Sequence, residues 1–513
     1  MLHAYTAAAV RAAEQPLLDA GHGPALMQRA AHGLATAILG VLRRRGRPVY
    51  GARVVVLAGS GNNGGDALYA GAYLARRGAR TTALLTSTRT HPEALLAFEK
   101  AGGRIERLPA DAAAAAGDVT AFLAEAMSSD VVVDGLLGTG GRGGLREPSA
   151  SIVAQLCHMT ADGRGPAVVA CDLPSGIDPD TGEVHPPVLA ADVTVTFGAV
   201  KTGLVCAPAE QLCGQVVLVD IGVESFLPPP DVVRLETADL AALLPCPSVD
   251  DQKYTRGVAG IVAGSAQYPG AALLAVAAAS ACGPGMVRYL GDPAVQAAIH
   301  LRNPEAVCSA GSPPDVRVQA WLAGPGIDGD DGQARRAREA MSSGLPTVVD
   351  AGALALVEVG AGGAKGTDGN AHLVLTPHAG ELSALLARCG VATSRAHIEA
   401  APLEAARLAA RLTGAVVLLK GPTTVVAAPD GRTFTQADGT PRLGTAGSGD
   451  TLAGILVALL AMNAGRDKPD CLAVVAALAA ALHGRLAHQD PNAPLNAGML
   501  AARIPAAWAA LTR

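Results

Sequence analysis

The chain has 513 residues, too many for one ordinary domain of about 150 and enough for roughly two to four. Half of it is hydrophobic (50%), 17% is charged and the mean hydropathy is +0.30, which excludes intrinsic disorder and allows large cores. Aromatics at 3% and a net charge of −5 argue against base stacking on single strands and against a basic surface drawn to nucleic acid or anionic lipid.

The N-terminal MLHAYTAAAVRAAEQPLL has no basic stretch leading into an apolar core and a cleavage site. The longest apolar runs, such as 472–482, fall short of the ~18 residues of a membrane span. Nine cysteines form no CxxC pair and no zinc-type cluster, which fits reduced, buried thiols. We therefore expect a soluble protein of the cytoplasm, with no nucleic-acid or membrane partner.

Short β-branched runs alternate with Ala/Leu-rich helical stretches. The strands expected in chain order are 54–57 (VVVL), 131–134 (VVVD), 167–171 (AVVAC), 193–197 (VTVTF), 216–220, 260–264, 346–350, 372–376 and 415–420 (AVVLLK). Such alternation predicts parallel sheets covered on both faces, with ligand sites at the carboxyl ends of the strands. VESFLPPPDVV at 223–233 is the expected boundary, because three consecutive prolines join neither a helix nor an inner strand. Domains over 1–222 and 236–513 follow, with a Pro-rich linker at 223–235.

In the first half, strand 54–57 runs into GSGNNGGD, a Gly-rich turn opening a helix and suited to an anion. Asn62, Asn63, Gly64, Gly65 and Asp66 lie there, although Asp66 is equally readable as a helix cap. VVVDGLLGTGGRGG places Asp134 at a strand end, before a second Gly-rich loop of Gly138, Thr139, Gly140, Gly141, Arg142, Gly143 and Gly144. CDLPSGIDPDTG places Asp172 and Ser175 at the next strand end, where a capped tight turn is the plainer reading. Lys201, in FGAVKTG, carries no assigned role.

GNNGGD, VDGLLGTG, DLPSGIDPDTG and TFGAVKTGL, in this order, resemble the NAD(P)H-hydrate epimerases over about 1–222. The resemblance implies a Rossmann-like three-layer α/β/α fold interconverting the R and S forms of hydrated NAD(P)H. By motif position it implies a potassium ion on Asn63, Asp134 and Ser175, substrate on the 62–66 and 138–144 segments and on Asp172, and Asp172 as acid–base group. Ala67 stands where many relatives have a further glycine, and GRGGLREP is richer in glycine than the usual form.

In the second half, LGTAGSGDTLAGILVALLAM at 443–462 places small residues before an apolar helix. Its N-terminus favours an anion. Asp450 there is either an N-cap or the base that takes a proton from a hydroxyl attacking a phosphoryl group. VVLLKGPTT places Lys420, Gly421, Pro422, Thr423 and Thr424 after a buried strand, and LTPHAGEL places His378 and Glu381 in a turn opening a helix. LAGPGID contributes Gly326, VVDAGAL contributes Asp350, and QYPGAA contributes Ala271.

KGPTT, TPHAGE and GSGD are similar to the ADP- or ATP-dependent NAD(P)H-hydrate dehydratases, relatives of the ribokinase-like kinases, over about 236–505. The resemblance implies a ribokinase-like three-layer α/β/α fold in which ADP phosphorylates the S-form hydrate. Phosphate is then eliminated, restoring NAD(P)H and leaving AMP. By motif position, Ala271, Gly326, His378 and Asp450 meet the hydrate, while Lys420, Gly421, Pro422, Thr423, Thr424 and Gly449 meet the nucleotide, with magnesium on its phosphates. GPGID replaces the usual GPGLG.

The function that follows is bifunctional repair of NADHX and NADPHX, with ADP, magnesium and potassium as small-molecule partners. The alternatives are a ribokinase-like small-molecule kinase with an accessory domain, and a non-catalytic N-terminal binding module. The Ala-rich helices, with flat apolar faces, lead us to expect a homo-oligomer.

Overall fold

The computed structural model describes the chain except at 88, 108–111, 142, 161–162, 164, 360–367, 465–471, 491 and 513, and except for the side chains of 112–118 and 368. Two compact units emerge, His3–Asp231 and Val232–Arg513, the second also holding Met1–Leu2. The transition is narrower than the expected 223–235 linker. Ile221 and Val223 are buried in the first unit's core, and Val232–Arg234 already pairs parallel with Thr433–Gln436. Only the residues around the proline run, which cannot donate to a sheet, lie between packed segments.

The first unit holds a seven-stranded parallel sheet in the order Arg104–Arg107, Arg80–Leu85, Arg53–Ala58, Val131–Gly135, Ala167–Cys171, Val193–Phe197, Gln215–Val219. Alternate residues feed opposite faces: Val54 and Val56 join the core under helices Gly23–Arg44 and Asn62–Arg76, whereas Val55 and Leu57 join the one holding Phe122 and Ile152. That is a three-layer α/β/α unit. Strand order reverses between Arg53–Ala58 and Val131–Gly135, which pair Leu57 with Asp134 and Ala58 with Gly135. Loops leave in opposite directions from such a switch point and open a crevice at the carboxyl ends.

Helix Gly23–Arg44 is longer than any apolar run singled out above. It has 22 residues, of which an 18-residue stretch reaches a mean hydropathy of 1.2, long and apolar enough to cross a membrane. In the structure Leu26, Ala30, Leu34, Ile38 and Val41 recur at helical spacing and bury one face on the sheet.

The second unit's sheet runs Val307–Ser309, Met286–Leu290, Val258–Val262, Ala320–Ala323, Thr347–Val349, Leu373–Leu375, Val416–Leu419, Thr424–Ala427, Thr433–Gln436, Val232–Arg234. It is parallel as far as Val416–Leu419, but Thr424–Ala427 and Thr433–Gln436 are antiparallel additions, so the expectation of a parallel sheet holds only for its larger part. The turn through Lys420–Thr423 is too short for the crossover helix that a parallel partner needs.

Helices Ser448–Asn463 and Leu472–Leu486 are buried on nearly every side. The Ala-rich faces of these two helices are therefore interior. Where Ser448–Asn463 crosses Pro269–Ala281, a side chain on Gly454 would strike the backbone of Ala275. This contact sets the spacing between the start of one helix, which carries Asp450, and the start of the other, which carries Ala271. Gly454→Ala should lower the stability of this unit by about 1–3 kcal/mol through overpacking, read as an earlier urea midpoint. Wild-type stability would show that the crossing is not close.

Candidate active sites

In the first unit, strand Arg53–Ala58 passes into Gly59, where a side chain would strike the backbone of Leu136. The helix begins at Asn62, so Asn62, Asn63, Gly64, Gly65 and Asp66 form its first turn rather than an open loop. The N–H groups up to Gly64 precede the helix's own hydrogen bonding, whereas Gly65 N already donates to the Gly61 carbonyl. Asp134 is buried at the neighbouring strand end, where its carboxylate accepts from Ser175 Oγ (2.6 Å), Ser175 N (2.8 Å) and Leu136 N (3.3 Å). Ser175 Oγ in turn accepts from Leu137 N at 2.9 Å.

A side chain on Gly138 would come within 3.0 Å of Asn63 Cγ, so the 135–138 segment lies against Asn63. Asn63 Nδ2 is buried without a hydrogen-bond partner. Burial pushes the Asp134 carboxyl upward, opposed by its hydrogen bonds from Ser175 and Leu136, and no cation pairs with it among the described residues. Asn63, Asp134 and Ser175 are thus gathered at one place.

Asp172 adopts φ +67°, unusual for a residue other than glycine. That conformation turns its carboxylate between Thr139 N (3.0 Å) and Lys201 Nζ (2.5 Å). Lys201 Nζ also donates to Thr196 Oγ1 (3.0 Å) and the Phe197 carbonyl (2.8 Å). Burial would raise the Asp172 carboxyl, but the Lys201 ammonium and the Thr139 hydrogen bonds outweigh it and hold it below the usual carboxylate value. Asp66 is pushed the other way, by burial first and then by the charge of Asp172. The 138–144 loop therefore meets Asp172 through Thr139, while Arg142 lies outside the described residues.

Lys201 was given no role from sequence, yet it is the cation beside Asp172. A signal was present: it is one of six lysines in the chain and sits inside an otherwise apolar FGAVKTG.

In the second unit, Ala271, Gly326 and Asp450 line one cavity of about 470 Å³ with Gln267, Tyr268 and Asp328. Gly326 has φ +68°, and a side chain there would come within 2.8 Å of Ala271 Cβ. His378 is not in that lining. It caps helix Ala379–Arg388, its Nδ1 accepting from Gly380 N and Glu381 N, and it bridges to Lys420 in the sheet.

Lys420 Nζ lies 2.9 Å from Asp350 Oδ1 and 3.7 Å from Glu381 Oε2. A side chain on Gly449 would come within 3.5 Å of Lys420 Nζ, so the lysine reaches the first turn of helix Ser448–Asn463. Gly421, Pro422 and Thr423 make the turn into the strand that Thr424 opens, with Thr423 buried. Lys420 is held charged: burial opposes this, but Asp350, Glu381 and Asp450 prevail. Burial, with the Asp350 charge, pushes Asp450 up to about 6, with Lys420 acting against them. Behind the loop, His483 Nε2 stands 3.2 Å from Ser448 Oγ, and burial pushes this imidazole down to about 4. His483 was not anticipated, because a histidine within the apolar run 472–486 gives no sign of what it faces.

Residues 23–203 match the family described as YjeF-related protein N-terminus, and 259–506 match the NAD(P)H-hydrate dehydratase family. The chain is 42% identical over 516 residues, covering 100% of both sequences, to the bifunctional NAD(P)H-hydrate repair enzyme Nnr of Mycobacterium leprae. The chain belongs to this bifunctional repair-enzyme family.

The Nnr protein of Mycobacterium tuberculosis is 43% identical, over 90% of this chain and 89% of its own. Among solved structures, an ADP/ATP-dependent NAD(P)H-hydrate dehydratase of Bacillus subtilis, co-crystallised with ATP and Mg2+, is 28% identical. It covers 55% of this chain and 99% of its own, with a TM-score of 0.47.

Two expectations follow for this repair enzyme. A base must be unprotonated to accept a proton, and the Asp450 pKa is raised, so dehydratase turnover should fall as pH drops through about 6. Asp350→Asn removes the raising charge and should move that limb to lower pH in a rate–pH profile; an unmoved limb would exclude Asp450 as the titrating group. Lys201→Met leaves a buried carboxylate uncompensated and should cost about 3–5 kcal/mol in denaturant unfolding. Adding Asp172→Asn should recover much of that loss.

Proposed function

We infer that the N-terminal unit interconverts the R and S hydrates of NADH and NADPH, and that the C-terminal unit dehydrates the S form at the expense of ADP. The observation that carries this reading is one chain holding two separately charge-tuned carboxylates. Asp172 is kept ionised by Lys201, and Asp450 is raised to about 6 beside Lys420. The first suits proton exchange at a carbinolamine-type carbon, and the second suits a base that captures a hydroxyl proton near neutral pH.

At the C-terminal site, the hydrate's hydroxyl is placed against Asp450 within the cavity bordered by Ala271 and Gly326. Asp450 takes the hydroxyl proton as the oxygen attacks the terminal phosphoryl group of ADP. First-turn N–H groups at Gly449 and Asp450, which have no intrahelical acceptor, face the transferred charge. Lys420, fixed by Asp350, meets the nucleotide phosphates. The C–O bond to phosphate then breaks, the adjacent ring carbon gives up a proton to solvent, and its C–H electron pair forms the double bond that restores the dihydronicotinamide.

Magnesium supplies charge neutralisation on those phosphates. Among the described residues no group of three His, Cys, Asp or Glu side chains could hold a metal ion, so phosphate oxygens and water would complete its coordination. In the N-terminal unit the donor set fits a potassium ion. Asp134 is a buried carboxylate without a counter-charge among the described residues, it adjoins Ser175 Oγ, and the Asn63 amide lies against the 135–138 segment that follows Asp134. All three supply oxygen, the donor a hard cation prefers.

We also place the protein in the cytoplasm, a reading supported by free cysteines among the described residues, with Cys171, Cys206, Cys213, Cys282 and Cys389 buried.

The test is an R/S mixture of hydrated NADH with ADP, magnesium and potassium, followed by the return of near-UV absorbance. Wild type should convert the whole mixture. Asp450→Ala should lower the rate about 10²–10⁴-fold, and Asp172→Ala should stall once the S form is consumed. A stable phosphorylated product in place of NADH would establish a kinase instead.

A further inference from the structure

Helix Ala7–Asp19 packs over the N-terminal site rather than away from it. Ala7 N donates to Asp180 Oδ1, just beyond the Asp172–Ser175 turn. Arg11 Nη1 donates to the Thr139 carbonyl at 2.9 Å, and Thr139 N is the group that holds Asp172. Glu14, three residues after Arg11, shares its helix face. Glu14 is half-buried and makes no hydrogen bond or ion pair among the described residues.

The charges that act on Glu14 are those of Lys201, Asp172 and Arg11, and Glu14 in turn acts on Asp66. Three carboxyl groups on three different elements therefore share one buried ammonium. All three cannot be ionised together at low cost. The geometry already gives Lys201 to Asp172, at 2.5 Å. Glu14 is left with its carboxyl raised, by burial first and by Asp172 as well, against the opposing pull of Lys201 and Arg11.

We propose that Glu14 is a second catalytic acid–base group of the epimerase site, acting as the acid while Asp172 acts as the base. The assignment rests on the epimerase reading above. Inverting a carbinolamine carbon requires hydroxyl to leave from one face and water to return on the other. Glu14 donates its proton to the ring hydroxyl. The C–O bond breaks, water leaves, and the lone pair of the ring nitrogen forms a C=N bond. Water then adds to the opposite face, the C=N pair returns to nitrogen, and Asp172 takes the proton released by that water. One proton has moved from Glu14 to Asp172, and solvent exchange returns it. No oxidant or reductant is needed. A single carboxylate would have to serve both faces, whereas Glu14 and Asp172 approach from separate elements, a helix and a strand-end turn.

The experiment uses the full-length protein with the R hydrate of NADH and potassium, without ADP, so that only epimerisation is read, by chromatographic separation of R and S. Glu14→Gln should slow epimerisation about 10²-fold and remove the alkaline limb of its pH profile, because that limb reports loss of the acid's proton. Glu14→Asp should retain part of the rate. Dehydration of the S hydrate with ADP, measured on the same preparations, should match wild type and shows that the chain is folded. A Glu14→Gln rate within about twofold of wild type, or a slowed rate whose pH profile keeps its shape, would overturn the proposal. Wild-type protein that dehydrates the S form but leaves the R form unchanged would overturn the epimerase reading itself, and the role of Glu14 with it.

Discussion

A carboxylate taken out of water must be stabilised by its neighbours or give up its charge, and both halves of this protein are arranged around that constraint. In the N-terminal unit the buried Lys201 ammonium lies 2.5 Å from Asp172 and keeps it ionised. In the C-terminal unit Lys420 lies 2.9 Å from Asp350. The pairing there has a second consequence: with Lys420 committed to Asp350 and Glu381, the raising influences on Asp450 prevail, and its carboxyl titrates at about 6. One lysine keeps a buried carboxylate ionised in the first unit, while the other leaves a neighbouring carboxyl poised near neutrality.

Within each unit separately, placement of these groups follows from parallel strands whose carboxyl ends share one edge of that unit's own sheet. Asp134, Asp172 and Asp350 stand at or just beyond the carboxyl ends of Val131–Gly135, Ala167–Cys171 and Thr347–Val349. Helix first turns meet them there, because Asn62 and Ser448 open helices directly after small-residue turns. Close approach is a matter of missing side chains. Gly59 passes the Leu136 backbone, and Gly454 lets two buried helices cross at Ala275. A side chain at either point would push apart the backbone segments that meet there.

Much of the fold was legible because buried parallel strands are written as continuous apolar runs. AVVAC at 167–171 and VTVTF at 193–197 coincide with strands residue for residue. The strands that escaped notice, such as Arg80–Leu85 (RTTALL), Arg104–Arg107 (RIER) and Thr433–Gln436 (TFTQ), are polar-interrupted and earn their place through pairing with a neighbour. The proline run was read as a spacer through 235, yet Val232–Arg234 is a strand, since its partner lies about two hundred residues away in sequence.

By itself, the sequence determined the α/β class, the existence of two catalytic units, the repair-enzyme chemistry suggested by their motifs, and the segments that build each site. Local pattern suffices there, because a Gly-rich turn between strand and helix has few other uses. Only the tertiary structure decided which cation stands beside which carboxylate. Lys201 against Asp172, Lys420 against Asp350, His483 behind Ser448, and Arg11 on the Thr139 carbonyl are all meetings between distant segments. Protonation state depends on burial and on charges a few ångströms away, and neither quantity exists until the chain has folded.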